Sequence, residues 1–114
     1  MIFEKLKVER SYDESLRQHR RRYSLDSKSL CFLSFFLNEK KEVVSLSFDV
    51  EAANDYHYQI RADQIPKLCD ALSCSNKEKS IVKAFIKLNE SWVNPIEIAT
   101  FLKDAEIKYQ VFSW

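Results

Sequence analysis

A chain of 114 residues, 46% hydrophobic and 31% charged, suits one domain that buries a core without disulfide or metal staples; its longest apolar run, Leu30 to Leu37, is too short to span a membrane. The formal net charge of +1 lies far from the basic balance of most nucleic-acid binders. Glycine is absent, which at a usual frequency of ~7% happens about once in several thousand chains of this length, and this excludes Walker loops, dinucleotide fingerprints, nucleophile elbows and EF-hand loops.

The N-terminus, Met1-Ile2-Phe3-Glu4-Lys5, has mixed charge, no apolar stretch and no small-residue cleavage site, so a cytoplasmic location is expected. Met1 to Arg10 alternates weakly and reads as an edge strand or an extended lead-in. Ser11-Tyr12-Asp13-Glu14 matches a capping box and predicts a helix from about Tyr12 to Tyr23. Ser24 to Ser29 is a polar connection. Leu30 to Leu37 is apolar on both faces, as in a central strand. After a charged loop at Asn38 to Glu42, Val44, Leu46, Phe48 and Val50 alternate with Ser45, Ser47, Asp49 and Glu51, predicting one buried and one solvated face. Tyr56, Tyr58 and Ile60 alternate with His57, Gln59 and Arg61 beyond a turn at Asn54-Asp55, completing an antiparallel meander.

Helical spacing then takes over. Ile65, Leu68, Cys69 and Leu72 share one face behind an Asp63 cap. Ser75-Asn76-Lys77-Glu78 reads as a second capping box, before Ile81, Val82, Phe85 and Ile86. Asn94-Pro95-Ile96-Glu97 opens a third helix with Ile98, Phe101, Leu102 and Ala105 inward. Ile107 to Trp114 alternates like a strand. The fold expected for residues 1–114 is a single α+β domain: an antiparallel sheet of three to five strands with helices packed against it. Without glycine, backbone positions with positive φ are expected at Asn38, Asn54, Asn76, Asn89 or Asn94.

The residues that carry chemistry are few. Cys31, Cys69 and Cys74 read as reduced thiols in or near the core; a zinc site built on Cys69 and Cys74 would need ligands that His19 and His57 are not spaced to supply. His57 and His19 read as solvated, although His57 lies beside Asp55 in sequence. Asp49 and Glu51 project from one strand face ~7 Å apart, a spacing that solvated sheets also give. Cys31 has no neighbouring charge to stabilise a thiolate. No catalytic residue, metal, cofactor or small-molecule substrate is assigned, and the chain is read as a non-enzyme. Trp92 and Trp114 read as lids on the core or as interface anchors.

Two surfaces remain. Arg17, Arg20, Arg21 and Arg22 would place Arg17, Arg20 and Arg21 on one helix face, able to meet successive phosphates; this is the nucleic-acid alternative. Between Glu42 and Pro66 stand five acids and one base, Arg61. Asp49, Glu51, Asp55 and Asp63, with Tyr56, His57, Tyr58 and Gln59 among them, have the composition of a surface for a basic protein partner. In its size, its acidic segment Asp49 to Asp63 and its aromatic strand Tyr56-His57-Tyr58, the chain resembles the immunity proteins of bacterial toxin systems such as contact-dependent growth inhibition. The resemblance implies a small α+β protein that occludes a cognate toxin domain at its active site or docking surface, without turnover.

Overall fold

In the computed structural model, residues 7–26, 30–51, 55–91 and 97–113 are described. They form β1 (Val8–Asp13), β2 (Gln18–Ser24), β3 (Cys31–Leu37), β4 (Val43–Glu51), β5 (Asp55–Arg61), a short 3-10 turn (Ala62–Gln64), α1 (Ile65–Leu72), α2 (Glu78–Glu90), α3 (Glu97–Asp104) and β6 (Gln110–Ser113). All six strands belong to one antiparallel sheet in the order β1-β2-β3-β4-β5-β6. The class is α+β, and a radius of gyration of 13.4 Å is that of a single folded unit of this length. The sheet is larger than the three to five strands expected, because the segment read as an N-terminal helix is a hairpin.

That correction has a local cause. Ser11 caps no helix but lies within β1, opposite Arg20, and Asp13 ends that strand. The Asp13 Oδ1 accepts hydrogen bonds from the backbone N–H of Ser15 (2.9 Å) and Leu16 (3.2 Å) and from the Ser15 hydroxyl (2.6 Å). This turn, with Arg17 in the left-handed region at φ 50°, reverses the chain. β2 then alternates. Tyr23 points into the core, whereas Arg20 and Arg22 project to the opposite face and cover phenylalanine rings with their guanidinium groups.

The core lies between one sheet face and the helices. Leu33 and Phe35 of β3, Leu46 and Phe48 of β4 and Ile60 of β5 meet Leu68, Val82, Phe85, Ile98 and Leu102, all fully buried. Phe48 stacks on Phe85 with ring centres 5.8 Å apart. A bulge where β4 begins opposite Leu37 turns Val43, not Val44, toward this core. The helices follow the predicted spacing with shifted starts. α1 begins behind the 3-10 turn with no side-chain cap from Asp63. α2 begins at Glu78 with no side-chain cap, the Ser75 hydroxyl instead bonding that of Ser80 at 2.7 Å. In α3, Ile98 and Leu102 are buried, while Phe101 and Ala105 pack at the margin of the core. The predicted start at Asn94-Pro95-Ile96, and both Trp92 and Trp114, lie outside the described residues.

Of the asparagines expected to take positive φ, Asn54 and Asn94 lie outside the described residues; among the described residues positive φ falls not on Asn38, Asn76 or Asn89 but on Arg17, Lys41, Ser73 and Glu106. Each sits at a reversal that its neighbours enforce. Lys41 closes the β3–β4 loop, where Asn38 and Glu42 bond across it. Ser73 and Glu106 end α1 and α3. Among the described residues no helix is long and apolar enough to cross a membrane.

Candidate functional site

The helices occupy only one side of the sheet, and the side chains on the other side form a polar cluster around a single carboxylate. Cross-strand register builds it. Phe32, Asp49, His57 and Phe112 lie directly opposite one another across β3, β4, β5 and β6. The next row runs Arg22, Ser34, Ser47, Gln59 and Gln110, and a third runs Arg20, Phe36, Ser45 and Arg61. Small residues in the middle of these rows sit in the shade of long ones. Ser34, Ser45, Ser47 and Asp49 are therefore buried, and the solvated face predicted for β4 is shielded by its neighbours.

Asp49 is 1% exposed and its hydrogen bonds are well satisfied. Oδ1 takes the Ser47 hydroxyl at 2.5 Å and lies 2.8 Å from His57 Nδ1, a geometry in which the ring nitrogen donates. Oδ2 accepts from the Ser34 hydroxyl at 3.2 Å and lies 3.6 Å from Arg20 Nη2. Ser34 in turn accepts from Arg20 Nε and Nη2 at 3.4 and 3.2 Å, so Arg20 reaches the carboxylate both directly and through the hydroxyl. A buried carboxylate is tolerated when it is paired and hydrogen-bonded in this way. Arg20 also lies over Phe36, 5.5 Å from the ring centre. Beside this cluster, Arg22 lies 3.7 Å from the ring centre of Phe32 and pairs with Glu51, while its buried Nε finds no acceptor among the described residues. Gln59 donates to the Ser45 hydroxyl at 3.3 Å.

Together Arg20, Phe36, Ser47, Asp49, His57, Gln59 and Phe112 line a shallow hollow of about 410 Å³. Phe112 is 40% exposed at its rim. A Ser–His–Asp relay needs the imidazole between hydroxyl and carboxylate; here Ser47 and His57 both bond the same carboxylate oxygen. Asp49 therefore acts as an anchor that fixes the His57 ring, the hydroxyls and Arg20 in place.

The structure divides the residues singled out from the sequence. Asp49, Glu51, Asp55, His57 and Gln59 share the helix-free face, Glu51 and Asp55 being cross-strand partners. His57 is not a solvated strand residue: its partner is Asp49, not Asp55. Tyr56 and Tyr58 point to the opposite face, where Tyr58 is buried and burial pushes its hydroxyl pKa up. Asp63 stands beyond β5 and lines a neighbouring concavity of about 310 Å³ with Gln59, Arg61 and Lys108. The four arginines separate as well. Arg17 sits in the β1–β2 turn and Arg21 faces the helices, 2.7 Å from Glu78, so the helical face expected to carry Arg17, Arg20 and Arg21 does not form. His19 packs against Tyr12, ring centres 4.7 Å apart.

Sequence reasoning missed Ser34, Ser47, Phe36 and Phe112 as companions of Asp49. The turn expected at Asn54-Asp55 does not give the register: Asp55 already belongs to β5, paired with Glu51, and Asp49 stands opposite His57. Among the described residues no cluster of three or more His, Cys, Asp or Glu is arranged to hold a metal ion. No family model matches the chain, and searches of curated proteins and of solved structures find no match.

Proposed function

We propose that the chain is a protein-binding inhibitor of the immunity type, acting in the cytoplasm, which uses the helix-free face of its sheet to occlude a toxin domain. The observation that carries the reading is the hollow around Asp49, where polar groups are held in fixed positions by a buried anchor and rimmed by Phe36 and Phe112. Preformed polar groups beside aromatic anchors lower the ordering cost of association and suit the centre of a protein interface. Charge steering plays a smaller part than the acidic segment implied, because Asp49 and Glu51 are already paired with Arg20 and Arg22. The occupant is thus expected to be matched in shape and hydrogen bonding at the hollow, with Asp55 and Asp63 at the margin available to a basic group.

The test is calorimetric titration against a toxin domain encoded by the neighbouring gene. Gln59→Arg and Phe112→Asp serve as contact variants, and Lys87→Ala, on the exposed side of α2, as the control. The contact variants are expected to weaken binding by at least about tenfold, roughly 1.4 kcal/mol, and the control to leave it unchanged. No toxin gene beside this one, no binding, or equal loss in all three variants overturns the reading.

A nucleic-acid module is the second reading, favoured by one observation: Arg20 and Arg22 stand on the same face above Phe36 and Phe32, side-chain types that hold single strands on open sheets. It predicts oligonucleotide binding that weakens steeply between about 50 and 200 mM salt. Salt-insensitive or absent binding dismisses it.

A further inference from the structure

The end of α1 brings two cysteines together. Ser73 takes the left-handed conformation, φ 54° and ψ 45°. The N–H of Ser73 bonds the carbonyl of Asp70 at 3.2 Å, and the N–H of Cys74 bonds the carbonyl of Cys69 at 3.0 Å. These two bonds define a helix-terminating motif that presses the side chain just past the reversal against the one five residues earlier. In most proteins that contact is made by two apolar side chains; here both positions are cysteine. The Cys69 thiol lies 4.0 Å from Asn76 Oδ1, and both cysteines are free thiols. A backbone bond between the same two residues holds their α-carbons near the separation a disulfide spans, roughly 4.4–6.8 Å. Cys69 is buried and Cys74 half-exposed, so one thiol can meet a reagent while the other waits behind it.

We infer that Cys69 and Cys74 are a redox pair that closes an intramolecular disulfide across the C-terminus of α1, with a small-molecule disulfide such as oxidised glutathione as oxidant. The thiolate of Cys74 attacks one sulfur of the oxidant, forming a mixed disulfide and releasing the other half as a thiolate. Cys69 then gives up its proton to solvent and attacks the Cys74 sulfur, expelling the second glutathione thiolate. The protein dithiol loses two electrons and two protons, and one oxidised glutathione becomes two reduced ones. Burial first, and Cys74 second, push the Cys69 thiol up to about 11, so closure quickens as pH rises toward that value. Cys31, buried in β3 and pushed up to about 12 by burial and by Asp26, takes no part.

The intact chain is incubated with a graded series of reduced and oxidised glutathione buffers, acid-quenched, unfolded, alkylated and weighed. The chain has three cysteines. Before oxidation all of them are expected to alkylate; afterwards only Cys31 should, with the mass lowered by two hydrogens and a Cys69–Cys74 cross-link in the peptide map. Cys69→Ser is expected to retain a glutathione adduct on Cys74. A wild-type chain that keeps all its thiols, stops at the adduct, or cross-links through Cys31 overturns the inference. These wild-type outcomes stand whether or not the variant folds.

Discussion

Asp49 is a buried carboxylate in a row that otherwise holds Phe32, His57 and Phe112. Removing the carboxylate leaves Arg20 and His57 facing each other without the anion between them. Asp49→Ala is therefore expected to destabilise the fold by about 3 kcal/mol, the low end for a broken buried pair because Arg20 can rehydrate at its partly exposed end. Asp49→Asn keeps the shape and some hydrogen bonds and should lose less. Urea unfolding checks this, with a lowered midpoint and an unchanged slope. A second effect at this scale comes from groups buried in their neutral form. Burial, together with Glu78, raises the Tyr23 hydroxyl; burial raises Tyr58; and burial takes the Cys31 thiol from its ordinary 9.0 to about 12. The folded-state values are raised, so this contribution is complete below the unfolded values and is lost as pH climbs toward the folded ones. The melting temperature is expected to fall steadily from pH 9 to 12. Cys31→Ala should flatten that fall.

At the scale of elements, positive φ at non-glycine residues stores strain at the reversals of Arg17, Lys41, Ser73 and Glu106. The end of α3 is the clearest. Glu106, at φ 59°, donates to the carbonyl of Lys103 (3.1 Å), and Ile107 donates to that of Leu102 (2.9 Å), the usual setting for glycine. Glu106→Gly is expected to stabilise the protein by about 1 kcal/mol, since the relieved strain exceeds the added chain entropy; thermal unfolding of the variant reads it. The elements themselves were unequally legible. β3 announces itself as a short run apolar on both faces, and β4 and β5 do so because Phe48 and Ile60 lie on faces with a clear two-residue period. α1 and α2 do so because Leu68, Cys69, Val82 and Phe85 keep helical spacing. β2 hides its period, because consecutive arginines, Arg20 to Arg22, fill both of its faces. Arg20 and Arg22 replace apolar side chains by covering Phe36 and Phe32, and Arg21 reaches Glu78 on the other face. No hydropathy pattern distinguishes that from a basic helix. The site was half legible for the same reason. Asp49 and His57 were visible as types, but their pairing depends on register across a turn.

At the scale of the whole molecule, the described residues form a meander of six strands with helices gathered on one side, so the two sheet faces have different tasks. One carries the core. The other carries Asp49 and the groups it fixes, and changes there are expected to separate: Gln59 and Phe112 at the rim alter contact, whereas Asp49 beneath them alters stability. The order of the strands has one more consequence. From β1 to β5 each strand pairs with the one just before it, so every pairing closes a short loop; β6 returns to β5 only after the segment 62–109 has been traversed. Loop closure is most unfavourable for that last pairing, and β6 is only four residues long. Its backbone amides are expected to exchange with deuterium well before those of β3 and β4, through local detachment of the strand while the rest stays folded. Since Phe112 rides on β6, each such opening also takes away one wall of the hollow.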